Sequence, residues 1–283
     1  MQEKKVLITG GNAGIGRAAA MQVARAGHTV ILAGRDPRKL EAAASCIRYR
    51  TGNKEIHTLE LDLASLPSVA LAAMHFQERF DELDVLINNA GIFSNELLFS
   101  DDGYELQFAI NHLGHFALTH HLLPSLWAAP RARVINLTSV AHYQGGIDFD
   151  NLKGEKGPKA YHGLTAYAQS KLANVLFTRE MARRHPELIT NCLHPGVTRT
   201  RIGNKHSHWH YALFWELYKP FMRSPHRAAR GLQYLAFSPE LNDVSGRYFD
   251  EKQCCRKPSL AARDEQLARE LWQTSQAYAQ IPS

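Results

Sequence analysis

Tyr167-Ala168-Gln169-Ser170-Lys171 places a phenol and an ammonium four positions apart. On a helix these two side chains share a face one turn apart, with Cβ atoms about 5–6 Å from each other. Moving a hydride onto a carbonyl needs a proton donor at the oxygen, and the reverse reaction needs a base. A phenol with a pKa near 10 is ionised in about one molecule in a thousand at neutrality, and bringing it to about 7 takes about 4 kcal/mol. A cation about 4 Å away contributes about 1 kcal/mol in bulk water but about 4 kcal/mol at an effective dielectric near 20. Such a pair is therefore an acid–base device only inside a partly enclosed cleft. Outside one, it is a packed Tyr and a solvated Lys on an amphipathic helix.

The elements around the pair supply that cleft. Val6-Leu7-Ile8 is a short β-rich run that ends in Thr9-Gly10-Gly11-Asn12-Ala13-Gly14-Ile15-Gly16, and an alanine-rich helical stretch follows through about Arg25. Glycines between a strand and a helix let the backbone approach a pyrophosphate, and the helix N-terminus offers free N–H groups and a partial positive charge. Apolar runs without alternation recur at Thr29–Ala33, Ile56–Leu61, Asp84–Ile87, Ala132–Leu137, Ile189–Leu193 and Ser245–Phe249, with helical stretches between most of them, including about 103–126 and Ala166–Arg184. This order predicts a Rossmann-type, doubly wound parallel α/β sheet of about seven strands with helices on both faces. Residues 1–283 read as one dinucleotide-binding domain, with a substrate lid at about 200–225 that is rich in aromatics and His.

Two strand ends carry further polar groups. Ser139 closes the fifth strand at a carboxyl end, where open α/β sheets bind ligands, and its hydroxyl is in position to bond a reacting oxygen. Successive strand side chains point oppositely, so only one of Thr138 and Ser139 aims at the pocket. At the end of the second strand, Gly34 stands where an NAD site wants a carboxylate, and Arg35 follows it as a guanidinium suited to a 2′-phosphate. NADP(H) is the expected cofactor and NAD(H) the lesser alternative. Asp36 before Pro37 reads more simply as a helix cap than as a ribose acid.

Composition narrows the function classes. The formal charge is +6, with 33 Lys and Arg against 27 Asp and Glu. The basic residues are dispersed among acids and accompany no nucleic-acid motif, so no nucleic-acid partner is expected. Cys46, Cys192, Cys254 and Cys255 fit neither a metal knuckle nor a redox pair. His206, His208 and His210 lack companion ligands at metal spacing, and no metal is expected. His112, His115, His120 and His121 read as packed or surface histidines of one helix. The start of the chain carries no targeting segment or integral membrane span before Val6, which suggests a cytoplasmic protein.

Taken together, Thr9-Gly10-x-x-x-Gly14-x-Gly16, Asn88-Asn89-Ala90-Gly91, Asn111, Ser139, Tyr167-x-x-x-Lys171 and His194-Pro195-Gly196 resemble the short-chain dehydrogenase/reductase family over essentially the whole chain. A narrower resemblance, to the retinol dehydrogenase-like subgroup, rests on Leu61-Asp62-Leu63-Ala64-Ser65-Leu66, Asn111-His112-Leu113-Gly114-His115-Phe116, Ser139-Val140-Ala141-His142 and Ser170-Lys171-Leu172-Ala173-Asn174-Val175-Leu176-Phe177. The resemblance implies that Tyr167 is the acid/base, that Ser139 orients the substrate oxygen, and that Lys171 holds the nicotinamide ribose and lowers the Tyr167 pKa. Asn111 would position a water in a proton relay. The implied cofactor-binding set is Gly10, Asn12, Gly14, Ile15, Gly16, Arg35, Asp62, Leu63, Asn89, Ala90, Gly91, Pro195, Gly196, Val197 and Thr200, together with Tyr167 and Lys171. The subgroup favours NADP(H) and lipophilic alcohols or aldehydes such as retinoids. Many of its members carry an N-terminal membrane anchor, and the stretch around Gly157-Pro158 is longer here than usual.

The expected partner is a small-molecule carbonyl or alcohol, and the expected assembly a homodimer or homotetramer. A non-catalytic NADP(H)-binding sensor or docking protein is the alternative from another class; it would need the cofactor turn but not the set of Asn111, Ser139, Tyr167 and Lys171.

Overall fold

The computed structural model describes residues 3–198 and 223–282. Its centre is an eight-stranded sheet in the order β3-β2-β1-β4-β5-β6-β7-β8. The strands are β1 (Lys5–Thr9), β2 (Thr29–Gly34), β3 (Ile56–Glu60), β4 (Val85–Asn88), β5 (Arg133–Leu137), β6 (Ile189–Leu193), β7 (Tyr248–Phe249) and β8 (Cys255–Arg256). The first seven pair in parallel and β8 joins β7 antiparallel. The strand order reverses between β1 and β4, which opens a crevice at the carboxyl ends of the strands.

Helices cover both faces, as the unalternating strands require. On one side α1 (Gly14–Arg25) and α2 (Pro37–Thr51) bury Val23, Leu40 and Ile47 against Val6, Ile8 and Val30. Asp36 caps α2: its side chain accepts from the Arg38 and Lys39 N–H groups at 3.1 Å each, with Pro37 at the first position. The opposite face begins with α3 (Leu66–Gln77), which packs Phe76 against Phe116 and Leu86 in one cluster.

The helix expected over about 103–126 is interrupted. It runs as a single turn α4 (Leu106–Phe108), a π-helical turn over Ala109–Leu113, then α5 (Gly114–His121) and α6 (Leu123–Ala128). Pro124 lies in the first turn of α6, where its missing N–H costs nothing, and this sets the second break. The long helix α7 (Gly163–Arg184) begins three residues before the expected Ala166. β7 covers less than the expected Ser245–Phe249, because Gly246 turns the backbone at φ +71° and the Arg247 N–H is taken by Asn191 Oδ1 at 2.9 Å. Two C-terminal helices complete the layers: α8 (Pro225–Phe237) against α1, and α9 (Glu265–Tyr278) against α7, with Trp272 among Phe116 and Phe177.

Candidate active site

The phosphate turn is shaped by its backbone. Gly10 and Gly14 adopt φ of +65° and +53°, a region that disfavours side chains. A methyl group on Gly16 would lie 2.4 Å from Gly10 O and 2.6 Å from Asn89 Nδ2. Ala13 precedes α1 in an extended conformation and no side chain caps the helix, so its first N–H groups face the turn uncapped by side chains. The turn is fastened to β4: Asn89 and Ala90 both donate their N–H to Thr9 Oγ1 at 2.9 Å, and Asn89 Nδ2 donates to Thr9 O at 2.7 Å.

At the end of β2 there is no carboxylate beyond the one committed to capping α2. Gly34 lies beneath Asn12, since a methyl group there would be 3.5 Å from Asn12 Oδ1. Arg35 projects outward with 69% of its side chain exposed, and its Nε is 3.9 Å from Asp62 Oδ2. Asp62 also accepts the Ala64 N–H at 3.0 Å, closing a turn after β3. The Leu63 side chain is buried in the core, and its carbonyl lies against Gly114.

The four candidate catalytic side chains come from three elements and converge on the same crevice. Asn111 sits within the π turn, where its Oδ1 accepts the Ile92 N–H at 2.8 Å and its Nδ2 donates to Ser170 Oγ at 2.9 Å. Ser139 and Thr138 divide as the alternation of a strand demands. Thr138 is buried and donates to Lys171 O at 2.7 Å, whereas Ser139 is half-exposed and its hydroxyl bonds Tyr167. Lys171 is 4% exposed; its Nζ donates to Leu137 O at 3.3 Å and lies 5.6 Å from the centre of the Tyr167 ring. Gly91 joins this cluster to the cofactor side, since a methyl group on it would meet Asn111 Oδ1 at 3.1 Å and Lys171 Nζ at 3.6 Å. Phe93, which the sequence reading gives no role, packs edge-on against Tyr167 at 5.8 Å.

The electrostatics differ from the simple pair arithmetic in one respect. Burial raises the Tyr167 pKa, and the neighbour that opposes the rise is the Ser139 hydrogen bond. The ammonium is farther from the ring than the roughly 4 Å of that arithmetic, and its own pKa is pushed down by burial to about 8. The protein groups by themselves thus favour a neutral phenol, the proton-donating form.

Pro195, Gly196 and Val197 follow β6 at the carboxyl edge, with Gly196 at φ +82° and Val197 exposed. Thr200, most of the expected lid at 200–225, and the His206, His208 and His210 group lie outside the described residues. Asn88 links β4 to β5 and α5 through Asn136 Oδ1 at 2.8 Å and Thr119 Oγ1 at 3.1 Å, a strand-fastening role. His112 and His115 are buried and packed, as their spacing suggests.

A glycine turn at the switch point of a parallel sheet, with Ser, Tyr and Lys converging beside it, defines a dinucleotide-dependent oxidoreductase of the Rossmann type. The family model for short chain dehydrogenase matches residues 4–210. The chain belongs to the short-chain dehydrogenase/reductase family and is retinol dehydrogenase-like within it. It is 45% identical to human retinol dehydrogenase 13, an alignment covering 96% of this chain and 83% of that protein. Human retinol dehydrogenase 14 is 41% identical, with 98% and 86% covered. Among solved structures, an uncharacterized protein from Mycobacterium paratuberculosis shares the fold at a TM-score of 0.73 and 34% identity, over 99% of this chain and 95% of that one. A Shigella flexneri short chain dehydrogenase complexed with NADP aligns at a TM-score of 0.72 and 27% identity, over 89% and 98%.

Proposed function

We propose that the protein is an NADP(H)-dependent oxidoreductase exchanging a hydride between the nicotinamide and a carbonyl or alcohol of a lipophilic small molecule. The observation that carries the reading is that Ser139 bonds Tyr167, Lys171 Nζ lies 5.6 Å from the centre of the Tyr167 ring, and Lys171 and Asn111 meet Gly91, whose neighbours Asn89 and Ala90 are fastened to the phosphate turn.

The residues fit the cofactor. The turn of Gly10, Asn12, Gly14, Ile15 and Gly16 receives the pyrophosphate at the N-terminus of α1, and Arg35 takes the 2′-phosphate. Asp62 and Leu63 would meet the adenine, and Asn89 to Gly91 and Pro195 to Val197 the nicotinamide; Thr200, proposed with them, lies outside the described residues. When bound, the nicotinamide supplies or accepts the hydride. Ser139 holds the substrate oxygen, Tyr167 gives its phenolic proton to that oxygen, and Lys171 holds the ribose beside it. Asn111, fixed by Ile92 and Ser170, orders the route by which Tyr167 regains a proton. Phe93 packs on Tyr167, and Val140, next to Ser139, and Leu164, on the first turn of α7, are exposed; these apolar side chains support a lipophilic substrate.

The whole chain acts as one domain in this reading, and a homodimer or homotetramer is its assembly. No helix among the described residues is long and apolar enough to cross a membrane, and the compartment proposed is the cytoplasm. Substituting Tyr167→Phe tests the chemistry: NADPH affinity is expected within about threefold of the parent while turnover falls about 10²–10⁴-fold with an aldehyde panel. Unchanged turnover rejects the role given to Tyr167, whereas turnover absent from the parent with every aldehyde and ketone tried favours the binding-protein alternative.

A further inference from the structure

Asn111 and Ser139 stand on different elements, yet the main-chain carbonyl of each meets a histidine ring. His115 Nδ1 lies 3.2 Å from Asn111 O, and His142 Nδ1 lies 2.7 Å from Ser139 O. The far nitrogen of each ring reaches a remote part of the chain. His115 Nε2 is 2.9 Å from Thr9 Oγ1, and His142 Nε2 accepts the Ser259 N–H at 3.3 Å. The rings are 2% and 0% exposed.

These partners leave each ring one protonation state. A carbonyl only accepts, so each Nδ1 carries a hydrogen. Ser259 N–H only donates, so His142 Nε2 carries a lone pair. Thr9 Oγ1 already accepts from Asn89 and Ala90, and what it retains to give His115 Nε2 is its own proton; the other acceptor in reach, Ile87 O, is more distant at 3.4 Å. Both rings are therefore neutral with the hydrogen on Nδ1. Burial acts in the same direction, lowering His142 and pushing His115 down to about 3 with the Lys171 ammonium adding to it.

The wiring relates to the site. Through Thr9, His115 ties the π turn of Asn111 to the strand ends that hold the cofactor turn. Through Ser259, His142 ties the Ser139 turn to the segment after β8, while His194 Nδ1 accepts the Val140 N–H at 3.2 Å from the other side. We propose that His115 and His142 are paired positioning residues, each locked as the neutral Nδ1–H form, that fix the Asn111 and Ser139 backbones. The proposal rests on the catalytic reading of Ser139 and Asn111 above.

Nitrogen NMR of the ¹⁵N-histidine-labelled full chain at pH 7, assigned with His115→Asn and His142→Asn, reads the ring states without reference to activity. A protonated Nδ1 and an unprotonated Nε2 in both rings is expected; an Nε2–H form or an imidazolium in either ring overturns the proposal, whatever Tyr167→Phe shows. Turnover gives the second readout. His115→Leu and His142→Leu are each expected to lower kcat at least tenfold, with NADPH affinity within threefold of the parent. The asparagine variants, which keep an amide donor at the Nδ1 position, recover at least threefold of that loss. Folded leucine variants with kcat within twofold of the parent, or asparagine variants with no recovery, overturn it. Where a leucine variant does not fold, the asparagine variant decides: kcat reduced more than twofold at unchanged NADPH affinity supports positioning, and parental kcat rejects it.

Discussion

The phosphate turn and the Ser139–Tyr167–Lys171 cluster lie along one crevice but are built from different materials. The turn is backbone: positive φ at Gly10 and Gly14, a helix start without a side-chain cap, and a Gly16 packed against Gly10 O. The cluster is side chain, drawn from the residues just after β5, the π turn and α7 and held by hydrogen bonds to buried carbonyls and hydroxyls. The turn thus depends on which residues lack a Cβ, and the cluster depends on which functional groups are present. Changes in the first should register in cofactor affinity, and changes in the second in turnover.

The sharpest way to break that division is Lys171→Met. If the ammonium serves the cluster, kcat falls about 10²–10³-fold, with a smaller loss in NADPH affinity; steady-state kinetics beside a fluorescence titration separates the two, and a pure affinity loss would merge the regions. Arg35→Ala acts only at the cofactor end and removes a charge-assisted contact. It should weaken NADPH about 10–100-fold while leaving NADH unchanged, and equal affinities for both cofactors in both proteins would remove the NADP(H) reading. Gly16→Ala should raise the NADPH Kd at least about tenfold and lower stability by about 1–3 kcal/mol, because the nearest atom it meets, Gly10 O at 2.4 Å, is backbone that cannot swing aside. Its kcat at saturating cofactor should stay within about threefold of the parent.

Lys171 also predicts a pH effect. Its pKa is about 8 in the folded protein against 10.5 as a free side chain, so between those values the unfolded chain binds more protons. Stability therefore gains from this group as pH rises through that window, and the gain should vanish in Lys171→Met. The difference between the two denaturation curves from pH 7 to 10.5 isolates it; parallel curves would mean that the lysine is not buried as an ammonium. The smallest effect concerns Asp36. Asp36→Ala should lower Tm by about 3 °C through the lost cap and leave NADH and NADPH affinities within about twofold. A selective loss of NADH would make Asp36 a ribose acid after all.

Much of this is legible from sequence because it is local. Gly10, Gly14 and Gly16 announce a turn by what they lack, Tyr167 and Lys171 share a face by helical spacing, and the choice of Ser139 over Thr138 follows from the two-residue period of a strand. Other features leave no local trace. The π turn at Ala109–Leu113 keeps the apolar character of its neighbours, so a periodicity scan passes through it as one helix. β8 is two residues long, too short for any pattern, and exists because Asp250 turns the chain back through the Arg256 guanidinium at 2.7 Å and the Cys254 N–H at 2.9 Å. The packed reading of His115 was available from its helix, but its partner Thr9 is 106 positions away and only the fold brings the two together.

The π turn also makes this part of the chain intolerant of a change in residue number. Its closing bond runs from the Gly114 N–H to Ala109 O, five residues back, so the segment carries one residue more than an α-turn needs. Each residue advances an α-helix by about 100°. Deleting one position between Ala109 and Leu113 would restore regular winding and rotate α5 by about that angle against α4, carrying His115 away from Thr9 and Thr119 away from Asn88. Many single substitutions along this stretch should be absorbed by repacking, whereas a one-codon deletion would unmesh the helix from both strand ends at once.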